Sequence, residues 1–270
     1  MTAVDPYAGQ VDHGPLRFLH RLNPLALVAA PMPAIVGLLL VRDVATPVAF
    51  LLLALLLILV GAHLSPPVAL GVLLGLPLFV VVTSVSFGLW VDPAGVDRSV
   101  VLLEVGDYRF FAGSWLVGLA TATRLGAIFG LALMGGVAAN GPDLARALVQ
   151  QLRVPYRIGY TALAAFRFVP RFGHELSVIR AAHRVRGHHG GRGPFARIAR
   201  GWGYIVPLLA GAIRHAERVA LAMDSRAFGA HATRTERHLV PFRVRDTVFI
   251  VLCLAASAAI FLVFFPWQLS

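Results

Sequence analysis

"VALGVLLGLPLFVVVTSVSFGLW", residues Val68–Trp90, decides the fold class. It runs for 23 residues without a charge. A helix needs about 20 predominantly apolar residues to cross the hydrocarbon of a bilayer. The stretch therefore reads as a membrane-spanning helix.

Working outward, four more apolar segments appear. Leu25–Val41 ends at Arg42-Asp43, and Val44–Ala62 follows it. Gly113–Ala139 is long and interrupted by Arg124, and Thr247–Phe265 is the last. The first, at 17 residues, is short for a crossing. The pattern predicts an all-α integral membrane protein with about five transmembrane helices, together with cytoplasmic amphipathic helices between spans four and five. Pro31, Pro33, Pro47 and Pro77 are expected to kink spans, which neighbouring helices tolerate. No strand pattern is convincing.

Composition agrees. The 270 residues are 58% hydrophobic and 14% charged, with a mean hydropathy of +0.76. The formal net charge is +11, and all 24 basic residues are arginine. Without lysine there is no ordinary P-loop and no Schiff-base chemistry. Any ATP-driven work needs an ATPase on another chain. The single Cys253 lies in an apolar run and reads as a small packing or lipid-facing residue. The N-terminal stretch through Pro24 is polar and mixed, so no cleavable signal peptide is expected.

Charge is unevenly distributed. Asn140–Arg245 holds 18 arginines against five acidic residues. Positive charge marks the cytoplasmic side. Val91–Ala112 carries Asp92, Asp97, Glu104 and Asp107 against Arg98 and Arg109, which suits the outside. These assignments place the N-terminus and residues 140–245 in the cytoplasm. They divide the chain into 1–139, a cytoplasmic start and four spans; 140–245, the basic region; and 246–270, the last span and C-terminus.

The basic region alternates apolar residues and arginine at helical spacing, so it is not disordered. One helix is expected to begin at Pro142-Asp143 and stop by Pro155, a second to stop at Pro170, and a third to stop at Gly187. Glycines 190, 191 and 193 break the chain, and a last helix bends at Pro207. Its apolar set is Leu208, Leu209, Ala212, Ile213, Ala216, Val219, Ala220 and Met223. Arg214, His215, Glu217, Arg218, Asp224 and Ser225 form the polar set.

Two of these helices end on arginine, in "AAHRVRG" at Arg186 and "ALAMDSRAFG" at Arg226. This pair of turns resembles the transmembrane T component of energy-coupling factor (ECF) transporters, the cobalt, biotin and general ECF membrane subunits. "LHRLNPLALV", "LRVPYRIGYTALAAFRFVPRFGHEL" and "IVPLLAGAIRHAERVALAMDSRAFG" extend the resemblance over roughly Leu19 to Phe265. The family's turn is usually Ala-Arg-Gly. Here it is Val185-Arg186-Gly187 and Ser225-Arg226-Ala227, with Gly229 two residues beyond. A lysine typical of the family is Ala26 here.

The resemblance implies a non-catalytic scaffold for vitamin or metal-ion uptake. It implies coupling helices seated on two ABC-type ATPase subunits and a membrane part that holds a substrate-binding S component. ATP would be bound by the partner subunits, and the chain itself would need no cofactor. The residues implied in ATPase coupling are Arg184, Arg186, Gly187, Arg218, Ser225, Arg226 and Ala227. For the arginines, complementing the dipole at a helix C-terminus is the alternative. Arg180/Arg184 and Arg214/Arg218 are like-charge pairs four residues apart, which an acidic surface or anionic lipid opposite would offset.

Gly71/Gly75 and Gly126/Gly130 permit close helix approach, within the bundle or against an S component. Arg124, about 22 Å from the cytoplasmic end at ~1.5 Å per residue, is expected to reach the outer interface or to pair with Glu104 or Asp107. His174, His183, His188 and His189 read as loop histidines rather than a metal site. A self-contained secondary transporter is the alternative function. It calls for repeated halves and ionisable groups near the midplane, and the spans carry little beyond Arg124. No catalytic motif is present, and no nucleic-acid motif accompanies the basic charge.

Overall fold

The computed structural model describes residues 17–92, 95–105, 108–186, 193–231, 235–236 and 238–266. Two compact units emerge, one of residues 1–140 with 241–270 and one of residues 141–240.

The first unit holds the apolar helices. A short 3₁₀ turn, Phe18–Arg21, precedes α1 (Pro24–Ala29) and α2 (Met32–Leu38). Pro31 and Pro33 lack the amide hydrogens that would join these two helices, so the predicted first span is divided. Next come α3 (Ala45–Gly61) and α4 (Pro66–Trp90). Pro47 falls in the first turn of α3, where no donor is needed, so it does not kink a span. Pro77 lies inside α4, which continues through it. Strands β1 (Val101–Val105) and β2 (Tyr108–Phe111) lead into α5 (Ala112–Ala138), and α9 (Val244–Val263) closes the unit.

Helices α4, α5 and α9 are long and apolar enough to cross a membrane. The stretches 24–38 and 45–61 are shorter. The 17 residues of α3 rise about 25 Å, against a hydrocarbon core of about 30 Å. The β1/β2 hairpin corrects the expectation of no strands. Val100–Leu103 is a run of four apolar residues without alternation, and the two strands are five and four residues long. Periodicity gives little signal over such a length.

Helix α5 is central and packs on α1, α2, α3 and α4. Phe50, Leu51, Ala54, Leu76, Val80, Ala127 and Leu131 form one buried cluster, with Phe261 of α9 set 5.0 Å from the Phe50 ring. Leu19, Leu27, Ile58, Met134 and Phe249 form a second. A polar clasp joins the starts of α1 and α9. Asn23 caps α1 by accepting from the Leu25 N–H, and its own N–H donates to Asp246 Oδ1 at 2.7 Å. Asp246 Oδ2 accepts from the Arg243 N–H, also at 2.7 Å. Two such charge-assisted bonds answer a carboxylate that is almost wholly buried.

Arg124 has a different partner from those expected. Its Nη1 donates to the Val41 carbonyl at 3.0 Å, just beyond the end of α2. Glu104 instead pairs with Arg109 at 2.9 Å. Asp107 lies outside the described residues.

The second unit comprises α6 (Gly141–Gln151), α7 (Tyr156–Val185) and α8 (Pro194–Asp224). Helix α7 runs through Pro170, so the two helices predicted on either side of that proline are one. The proline removes one backbone bond. Packing on both sides holds the helix together: Phe168 stacks on His215 of α8 with ring centroids 4.6 Å apart, and Glu175 lies against Gly211.

Candidate functional site

Helices α7 and α8 run antiparallel. Phe168 meets His215, Glu175 meets Gly211, and His183 meets Tyr204 at 5.2 Å with the Arg180 guanidinium 5.8 Å from the same Tyr204 ring. At the opposite end Tyr156 meets Phe228 edge-on at 5.7 Å. Arg186 caps the C-terminus of α7, and Arg226 lies just past the C-terminus of α8. The two arginines therefore stand at opposite ends of the pair. The 30 residues of α7 separate the ends by about 45 Å at ~1.5 Å per residue. Both arginines are exposed.

The turn at Arg226 has defined geometry. Ala227 takes φ 54°, in the left-handed region. The Phe228 N–H donates to the Met223 carbonyl at 3.0 Å, and the Ala227 N–H to the Asp224 carbonyl at 2.9 Å. These are the two bonds of a Schellman motif, with Ala227 at the position usually held by glycine. Gly229, at φ 90°, supplies a second left-handed residue. The Ser225 hydroxyl donates back to the Ala222 carbonyl at 3.1 Å.

The chain beyond the turn is strapped to α6 and α7. Arg157 donates to the Gly229 carbonyl, Tyr156 to the His231 carbonyl and Tyr160 to the Glu236 carboxylate. Gln150 donates to the His238 carbonyl at 2.8 Å and accepts from the Val240 N–H at 2.8 Å. Gln151 donates to the Val240 carbonyl at 2.7 Å. Sequence reasoning missed these residues, because their partners lie 72 to 90 positions away and no local pattern marks them.

Between turn and strap lies a cleft of about 710 Å³. Arg146, Arg167 and Arg226 line it together with Tyr156, Tyr160 and His231. Arg146 is held by Asp143 at 2.6 Å. Three guanidinium groups around one cleft suit an anionic group, and the planar fork of the exposed Arg226 can grip a carboxylate in two places.

The other residues singled out from sequence fall as follows. Arg184 is exposed two positions before Arg186, and Arg218 is exposed on α8 two turns before Arg226. Gly187, His188 and His189 lie outside the described residues. Among the described residues no group of three or more histidine, cysteine, aspartate or glutamate side chains could hold a metal. In the first unit, Gly126 lies against Val80, and Gly130 against Ala54 and Leu51. A side chain at Gly71 or Gly75 would meet nothing within 4 Å.

The predicted apolar set of α8 divides between two faces. Leu208, Ala212, Val219 and Met223 are half-buried, as are Tyr204, Gly211 and His215, which touch α7. Leu209 and Ile213, with Trp202 and Val206, are each more than half exposed. At 100° per residue these four share one stripe, on the side away from α7.

The family model described as "Cobalt transport protein" matches residues 16–237. The chain belongs to the CbiQ family. A Staphylococcus aureus protein named energy-coupling factor transporter transmembrane protein EcfT is 27% identical over 169 residues, 60% of this chain and 63% of that one. A Bacillus selenitireducens protein of the same name is 23% identical over 251 residues, 90% of this chain and 91% of that one. A Bifidobacterium longum protein named for ABC-transporter ATP binding is 34% identical over 97 residues, 36% of this chain and 12% of that one. The chain spans less than two thirds of the S. aureus relative and a small part of the B. longum one. Family membership and the apolar helices together make this a bacterial membrane protein, a membrane component of the ECF transporter type.

Proposed function

We propose that the chain is a non-catalytic coupling scaffold of an ECF-type ABC importer. Its basic helices transmit motion from two ATPase subunits, which bind and hydrolyse the ATP, to a membrane S component that carries a vitamin or metal ion. The supporting observation is the antiparallel α7/α8 pair with an exposed arginine at each end. Two anchors about 45 Å apart on one antiparallel helix pair suit two separate ATPase subunits that approach each other when they bind ATP. The cleft of Arg146, Arg167 and Arg226 would receive an acidic side chain from one of them. The exposed stripe of Trp202, Val206, Leu209 and Ile213 would meet the S component. On this reading residues 140–245 and the N-terminus are cytoplasmic, and the stretches 24–38 and 45–61 complete about five spans.

The test is co-purification from membranes. Arg186→Glu combined with Arg226→Glu should release both ATPase subunits, and each single substitution should weaken capture. The protein itself should stay in the membrane. An intact complex in the double variant would refute arginine anchoring.

A further inference from the structure

The β1/β2 hairpin has no part in the coupling reading, yet its surface is unusual. Val100, Val101, Leu102 and Leu103 are consecutive, and each is 44–56% exposed. A ribbon of two strands in water presents polar side chains on at least one face, because successive residues point to opposite sides. Here no polar residue interrupts the run. The register also shifts between Val101 and Leu103, leaving Leu102 as the extra residue of a bulge.

Polarity changes along the hairpin. The apolar run lies at its base, next to the helix ends. Toward the tip, Glu104 pairs with Arg109 at 2.9 Å, and both side chains are more than half exposed. The base is fixed between two membrane-length helices. Phe110 packs on Gly88 near the end of α4, and the Ala112 N–H at the start of α5 donates to the Val100 carbonyl at 3.0 Å. Aromatic residues bracket it. Trp90 ends α4 at 87% exposure, and Trp115 lies partly exposed in the first turn of α5. Tryptophan collects at the membrane interface, where one side of the ring is apolar and the other is wet.

We propose that the base of this hairpin, Val100–Leu103, is embedded in the lipid interface at the membrane face where α4 ends and α5 begins, with the Glu104–Arg109 pair in water. The occupant of the exposed apolar surface is lipid, because that surface continues the outward face of the two spans. Leu89 and Trp90 on α4, and Trp115 and Leu116 on α5, are exposed on either side of it. Lipid solvation removes the cost of presenting four apolar side chains to water. The ion pair marks where the ribbon leaves the interface.

The test uses a Cys253→Ala background carrying one environment-sensitive fluorophore, at Leu102→Cys or at Glu104→Cys. The full chain is reconstituted alone in phosphatidylcholine/phosphatidylglycerol vesicles. Nitroxide lipids labelled near the headgroup should quench the Leu102 label and leave the Glu104 label bright. Aqueous iodide should do the reverse. A Leu103→Cys label repeats the measurement should the Leu102 substitution disturb the bulge. Equal quenching of the base and tip labels by iodide would overturn the proposal. So would shielding of the base labels that appears only when the other membrane proteins of the transporter are added, since the occupant would then be protein.

Discussion

Ala227 holds a backbone conformation that an L-residue with a β-carbon adopts at a cost of about 1–2 kcal/mol. Its φ of 54° closes the turn that carries Arg226, at the position that glycine usually holds in a Schellman motif. Ala227→Gly removes that strain, partly offset by the greater freedom glycine has in the unfolded chain. The net expectation is a gain of about 0.5–1 kcal/mol, read as a higher melting temperature of the purified protein in detergent. A lower melting temperature would mean that the β-carbon makes a contact worth more than the strain. The sequence singled out Ala227 only through the resemblance, because a positive φ leaves no local pattern in composition. Arg226 was legible from its place at the end of an amphipathic helix. The strap from Tyr156, Tyr160 and Gln150 that fixes the turn was not, since each bond spans most of the second unit.

Among the elements, α4 and α5 separate glycines that look alike in sequence. Gly71/Gly75 and Gly126/Gly130 share the same spacing. Only the second pair packs within the bundle. Among the glycines between α4 and α5 the tightest is Gly118, which no spacing rule selected. A β-carbon there would lie 2.4 Å from the Ser84 carbonyl oxygen and 2.5 Å from the Gly88 nitrogen, both backbone atoms that cannot step aside. Gly118→Ala should therefore force α4 and α5 apart and cost about 1–3 kcal/mol or more. Gly71→Ala should leave the fold intact. Thermal unfolding of the two variants side by side checks this, and equal stability would contradict the α4/α5 packing. The long apolar helices were legible because α4 has no charge over its whole length and α9 very little. The helix boundary predicted at Pro170 failed because tertiary contacts from Phe168 and Glu175 outweigh one missing hydrogen bond. The hairpin escaped because Val91–Ala112 reads as a charged loop, and strands of five and four residues are too short to show a period.

For the molecule as a whole, the arginines gain their meaning from the antiparallel arrangement. The sequence places Arg186 and Arg226 at the ends of two helices but does not say whether the ends are together or apart. The ring contacts along α7 and α8 answer that, from Tyr156 beside Phe228 to His183 beside Tyr204. Anchors at one end would grip a single subunit, whereas anchors at opposite ends suit two. The most direct measurement replaces Arg186 and Arg226, singly and together, with a photo-crosslinking residue in the reconstituted complex. Each single variant should give a product of one chain with one ATPase subunit, and the double variant a product of one chain with two. Capture of only one subunit by the double variant, or of none from either position, would contradict the account.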